Sequence, residues 1–145
     1  MVETRMSIVR TEDPRLQHYL LQIEKYKKLT QDEELGLAGR IRDGDREALD
    51  QLVNANLSHV VGIAREFHHH GLGDLDLIAE GNVGLISAAR NFDGGRGIRF
   101  ISFAKLWIGR AIRRAVIVHV RAPRLPSTLV IGAPAQRRSS ASWAD

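Results

Sequence analysis

Apolar residues recur at helical spacing along most of this chain, and capping signals divide the pattern into segments. Thr30 and Glu33 form a capping box, in which the threonine hydroxyl accepts from the amide of Glu33 and the glutamate reaches back. Asp13-Pro14 is another start signal, because Asp caps a helix and Pro fits its first position. These features predict an all-α fold, a compact multi-helix bundle.

Glycine and asparagine residues mark the expected ends of the helices. Gly44 ends one helix before Asp45 caps the next, and Asn56 lies at an expected joint between two others. The Asp-Gly-Gly-Arg-Gly sequence at 93–97 is the clearest loop in the chain. The last and longest helix is predicted over about 100–120.

The periodic pattern also predicts where individual side chains lie, at a helix end or in the core. The first helix is predicted to continue through Tyr26, with Lys27 and Lys28 at its negative end, where cations are favoured. Leu35 and Val83 belong to the apolar stripes of two later helices. We therefore expect Leu35 and Val83 to be buried.

The length of 145 residues, with 43% of them apolar, fits one domain with one modest core. We expect that domain to occupy residues 13–128, after an N-terminal tail at 1–12. The sequence from Val130 onward has no amphipathic period, so residues 129–145 are predicted to form a disordered tail.

Residues that the chain lacks exclude several classes of function. Without cysteine there is no disulfide, cysteine-ligated zinc or thiol catalysis. No apolar run reaches membrane-spanning length, and the N-terminus has no signal-peptide core, so we expect a cytoplasmic protein. His68-His69-His70 would place at most two rings on one metal, and no nucleophile–base pair is recognisable. We expect no cofactor, no metal and no enzymatic activity.

The net charge of +4 hides a strong asymmetry. Residues 1–89 hold 10 basic and 15 acidic residues, a net charge of −5. Residues 90–145 hold 11 basic and 2 acidic residues, a net charge of +9. Such a division suggests two faces with different partners, the basic one facing a polyanion, although a solvated basic surface is the plainer alternative.

Aromatic rings and guanidinium groups alternate over residues 91–114. Phe100, Phe103 and Trp107 would share one helix face. Rings offer faces to unpaired bases, worth about 1–3 kcal/mol per base, while cations follow the phosphates. The pattern fits single-stranded nucleic acid or a duplex being opened. The same stripe could instead pack into the core, and spacing does not separate these alternatives.

Ordered motifs run through the same half of the chain: DLIAEGNVGLI at 76–86, NFD at 91–93 with RG at 96–97, and FISFA at 100–104 with WI at 107–108. They resemble the second conserved region of bacterial sigma factors of the primary, or housekeeping, class. The resemblance extends over roughly residues 13–128. It implies a helical domain that binds core RNA polymerase and promoter DNA, and the family's two later domains are expected to be absent.

The resemblance implies a surface that docks on a coiled coil of the polymerase's largest subunits, formed by Asp76, Glu80, Asn82 and Ile86. Asp76 and Glu80 are one helical turn apart, so both carboxylates lie on one face and suit a basic partner. A solvated acidic helix start is the alternative. The family's glutamine is Ala79 here, which removes one polar anchor.

The resemblance also implies capture of the non-template strand of the minus-ten promoter element, with a flipped adenine stacked on Phe103. Leu106 and Trp107 replace a pair of tryptophans that wedges the duplex, so we expect weaker melting. Arg110 and Arg113 occupy the duplex reader's positions and predict a shifted preference, towards G·C. The other candidate contacts are Asn56 (equally a helix cap), Phe92, Arg96, Arg99, Phe100, Lys105, Arg114, Arg121 and Arg124.

Two functional classes remain open at this point. The first is a promoter-recognition and melting module bound to core RNA polymerase. The second is a decoy or regulator that occupies the polymerase's sigma site without productive initiation. Ala79, Leu106, Gly109 in place of a family arginine, and the expected absence of later domains favour the second, while Phe103 and Trp107 favour the first.

Overall fold

The computed structural model describes residues 13–67, 71–95 and 97–121, and within them it is all-helical. The six helices are α1 (Pro14–Ile23), α2 (Gln31–Arg42), α3 (Arg46–Ala55), α4 (Leu57–Arg65), α5 (Asp74–Asn91) and α6 (Phe100–Arg121). The predicted all-α fold is therefore confirmed. The expected tails at 1–12 and 129–145 lie outside the described residues, as do His68-His69-His70 and residues 122–128 of the expected domain.

The predicted start signals are confirmed. Asp13 accepts from the amide of Arg15 at the beginning of α1. Both bonds of the capping box form at α2, with the Thr30 amide donating to the Glu33 carboxylate at 2.9 Å. Asp45 accepts from the amide of Ala48 and so caps α3.

Three expectations about the apolar pattern are wrong. α1 ends at Ile23, so Tyr26 lies past it and is 45% exposed, and the two lysines that follow are not in its last turn. Leu35 is 40% exposed because the neighbouring Glu34 takes the inward position on α2. Val83 is 52% exposed on α5.

Helices α5 and α6 form the most extensive contact in the bundle, and glycines on α5 permit it. A Cβ atom at Gly84 would lie only 2.5 Å from the carbonyl oxygen of Trp107. A Cβ at Gly81 would lie 2.6 Å from a methyl group of Val60 on α4. The α6 side of this contact is apolar, with Ile108 and Ile112 fully buried. The backbones of α5 and α6 therefore meet directly.

The connection between α5 and α6 is the predicted loop. Gly94 and Gly97 have φ values of +72° and +71°, which only glycine adopts at little cost. Gly94 is also buried, and a Cβ there would lie 2.7 Å from Leu35. Among the described helices, none is long and apolar enough to cross a membrane.

Candidate nucleic-acid and polymerase interfaces

The aromatic residues of α6 divide between core and surface. Phe100 is fully buried and Phe92 is 5% exposed, whereas Phe103 and Trp107 are half-buried. Phe92 contacts Phe100 edge-on, with ring centroids 5.1 Å apart, and lies 5.6 Å from Phe103. The ring of Trp107 is 5.8 Å from that of Phe103. The core alternative thus describes Phe92 and Phe100, and contact of Phe103 and Trp107 with nucleic acid stays a prediction.

Three predicted DNA contacts are not supported as direct contacts, because their side chains lie in the interior. Phe92 contacts the Phe103 ring, and Phe100 in turn contacts Phe92. Asn56 is 4% exposed, and its amide donates to the carbonyl of Leu52 at 2.8 Å. That bond satisfies a carbonyl at the end of α3, whereas the Asn56 side chain makes no capping hydrogen bond to the start of α4.

Helix α6 also carries four exposed cations. They are Lys105, Arg110, Arg113 and Arg114. Leu106 is 62% exposed, as a wedge residue would be. The guanidinium of Arg113 lies across Gly109, 3.3 Å from where a Cβ would be. Arg96, Arg124 and the side chain of Arg121 lie outside the described residues.

Glu34 of α2 supports the start of α6, although the sequence did not reveal it. It is only 3% exposed. Its carboxylate accepts from the Arg99 guanidinium at 3.0 and 3.3 Å and from the amide of Phe100 at 3.1 Å. Arg99 also donates to the carbonyl of Leu29 at 2.9 Å. Glu34 therefore caps the start of α6 and fixes Arg99, whose pKa is raised by its hydrogen bond to Glu34.

Further bonds tie α2 to the loop that leads into α6. Gln31 donates to the carbonyl of Gly97 at 2.8 Å, and Arg42 donates to the carbonyl of Asp93 at 3.0 Å. Together with the Glu34 contacts, they hold the loop at both ends. The position of the surface rings is set by a helix some 65 residues earlier in the chain.

The predicted polymerase surface is only partly exposed. Asp76 and Glu80 are exposed on α5, as expected, and Ile86 is half-buried against the core. The Asn82 amide instead donates to the Tyr19 hydroxyl of α1 at 3.2 Å. Burial raises the pKa of Tyr19, and the bond from Asn82 partly opposes this. Asn82 thus contacts α1, and its Oδ1 atom is buried without a partner among the described residues.

No group of three possible metal ligands converges in the described part of the chain. A cavity of about 300 Å³ lies between the α1–α2 connection and α3. It is lined by Tyr26, Leu29, Asp50, Asn54 and others, away from the rings of α6.

Fold and surfaces together define an all-helical module with an acidic face on α5 and a basic, ring-bearing face on α6. Comparison with known families gives its relationship: residues 52–121 match Sigma-70 region 2, and residues 16–47 match Sigma-70 factor, region 1.2. The chain therefore carries regions 1.2 and 2 of the Sigma-70 family.

Curated relatives agree with this assignment. The RNA polymerase sigma factor SigA of Listeria monocytogenes is 43% identical over 88% of this chain and 34% of its own length. The SigA protein of Clostridium acetobutylicum is 44% identical over 82% of the chain and 31% of its own. RNA polymerase sigma factor RpoS of Coxiella burnetii is 44% identical over 81% and 33%. The chain spans about a third of the length of these relatives, and its membership of the primary class stays a prediction.

Proposed function

We propose that this chain acts in transcription initiation as a promoter-recognition module of the sigma type. In this role α5 binds core RNA polymerase, and α6 captures unpaired non-template bases of the minus-ten element in the bacterial cytoplasm. It has no enzymatic activity of its own. The observation that carries the proposal is the pair of half-buried rings, Phe103 and Trp107, 5.8 Å apart beside exposed cations.

The Phe103 ring is suited to stacking because its position is fixed before any base arrives. Phe92 supports it at a centroid distance of 5.6 Å, and Trp107 flanks it. A preorganised ring spends little entropy on binding, so more of the stacking free energy of about 1–3 kcal/mol per base is retained. That gain offsets the few kcal/mol needed to flip a base out of the duplex.

The exposed arginines lie further along α6 than the rings, where the proposed role would place the duplex upstream of the unpaired bases. Past the rings and Leu106, α6 presents Arg110 and then Arg113, one turn apart. Arginine is the usual bidentate partner of guanine in the major groove, so these two would read upstream duplex with a preference for G·C. Selection from random minus-ten sequences measures that preference.

Docking on polymerase would use the exposed acidic edge of α5. Asp76 and Glu80 are one turn apart and open to solvent, with Ala79 and Val83 exposed beside them. This combination of two carboxylates and apolar surface fits a basic, amphipathic partner such as a coiled coil of the largest subunits. Asn82, turned towards Tyr19, would support this surface from behind.

Fluorescence anisotropy with a labelled single-stranded minus-ten oligonucleotide tests the base-capture step. We expect Phe103→Ala to weaken binding about tenfold or more, because the stacking face is lost. Phe103→Tyr keeps that face and should bind as the unchanged chain does. Equal binding by Phe103→Ala and the unchanged chain would refute base capture.

The decoy alternative is favoured by the exposed wedge position. Leu106 is 62% exposed and aliphatic, so it stacks less well on a base pair than tryptophan would. If the chain melts promoters, Leu106→Trp should increase open-complex formation with core RNA polymerase, as measured by permanganate reactivity of unpaired thymines. No gain, together with polymerase binding that is lost in Asp76→Lys, supports the decoy.

A further inference from the structure

We infer that Lys28, His59 and Lys105, grouped around Arg99, form a phosphate-binding site for the captured DNA strand. The site lies at the junction of α4, α6 and the α1–α2 connection. This inference rests on the proposed function, because the strand that supplies the phosphate is the one whose base stacks on Phe103. Lys28 and His59 are new assignments, outside the contacts that the sequence predicted.

One hydrogen bond and the packing of two helices bring the three elements together. The Arg99 guanidinium donates to the carbonyl of Leu29 at 2.9 Å, which holds the α1–α2 connection against the start of α6 and places the adjacent Lys28 there. Lys105 is on α6 itself, and α4, which carries His59, packs on α6. The three basic residues are all exposed.

The electrostatics of His59 agree with this grouping. Its pKa is lowered chiefly by partial burial of the ring, and further by the positive charges of Lys28, Lys105 and Arg99. Glu34 is the carboxylate that acts in the opposite direction. That carboxylate is already bonded to Arg99 and to the amide of Phe100.

The group therefore carries positive charge without a compensating anion. Among the described residues, neither Lys28 nor Lys105 forms a salt bridge with a carboxylate. Two ammonium groups and an imidazole on a solvent-facing surface match a backbone phosphate, which needs cationic donors. Phe103 and Lys105 are two residues apart on α6 and so point to different sides of a helix about 10 Å across, which puts the bound phosphate within a few nucleotides of the stacked base rather than next to it.

Histidine makes this contact dependent on pH. In the free chain, partial burial and the neighbouring cations lower the pKa of His59 and so disfavour its protonated form, whereas a phosphate beside it favours that form. Binding then takes up a proton, so affinity for the strand must rise as the pH falls. A rise of half a pKa unit on binding changes the affinity by at most about threefold over the whole titration, and by less than that between pH 8 and pH 6, because the pKa of His59 is lowered in the free chain.

The test uses the full 145-residue chain and two labelled single strands, the minus-ten oligonucleotide and an abasic strand of equal length. Each lost phosphate contact on single-stranded DNA lowers the salt slope of log K by about 0.7. Raising the salt concentration from 50 to 200 mM weakens binding by the unchanged chain. It should weaken binding by Lys28→Gln, and by Lys105→Gln, about 2.6-fold less. His59→Gln should bind with no dependence on pH between 6 and 8.

Lys25→Gln is the matched control, because Lys25 is an exposed cation of the same connection that does not act on His59. It should keep the full salt slope. Unchanged slopes in Lys28→Gln and Lys105→Gln, or pH-independent binding by the unchanged chain, overturn the inference. If the variants of Lys28, His59 and Lys105 bind both strands more weakly and Phe103→Ala binds both as well as the unchanged chain does, base capture is overturned and the phosphate site stands.

Discussion

The two ends of α6 are held very differently. At its beginning, Phe100 is fully buried, its amide is capped by Glu34 and its ring contacts Phe92. At its end, the apolar residues Ile117, Val118 and Val120 are 49%, 50% and 65% exposed. The rings proposed to meet DNA lie near the well-held end. The side chains are therefore held most firmly where the geometry of stacking would matter. The exposed apolar residues at the far end bury little surface in the bundle.

The largest expected loss of stability comes from removing Glu34, which caps the start of α6. Glu34→Ala leaves the Phe100 amide without its acceptor and Arg99 without its partner. We expect a loss of about 2–3 kcal/mol in the free energy of unfolding, below the full range for a buried pair because Arg99 is half-exposed. Urea denaturation measures it. Asp32→Ala, an exposed change in the same helix, is the control, and equal stability of the two variants would contradict the cap.

A smaller loss is expected where α5 and α6 meet. Gly84→Ala places a methyl group against the carbonyl of Trp107, so the helices must separate, at a cost of about 1–3 kcal/mol. The control is Gly62→Ala on α4, where a Cβ meets nothing within 4 Å. Because alanine has a higher helix propensity than glycine, this change should raise the free energy of unfolding by about 0.5–1 kcal/mol. The melting temperature should fall in Gly84→Ala and rise in Gly62→Ala. A rise in both variants would show that α5 and α6 leave room for a methyl group at Gly84.

The smallest effect is expected at the exposed end of α6. Ile117→Ser removes a side chain that is already half in solvent, so the free energy of unfolding should change by no more than about 0.5 kcal/mol. Urea denaturation again measures it. A loss as large as that of Glu34→Ala would show that the two ends are held alike and would remove the contrast between them.

Local signals made most of the fold predictable. The capping box, Gly44 and the 93–97 loop act on neighbouring residues, and the structure confirms each. The Glu34–Arg99 pair was not predictable, because the partners are 65 residues apart and a glutamate on a helix is expected at the surface. The division of rings between core and surface was hidden for a similar reason, since spacing defines a shared face but not what covers it.

The bond between Glu34 and the start of α6 also crosses a boundary between family regions. Glu34 belongs to the stretch that matches region 1.2, and Phe100 to the stretch that matches region 2. The two regions are separate units of sequence comparison but share one hydrophobic core here, and one supplies the terminal acceptor that the other's longest helix lacks. Swapping region 2 alone between relatives would therefore succeed only where the donor and recipient share this carboxylate.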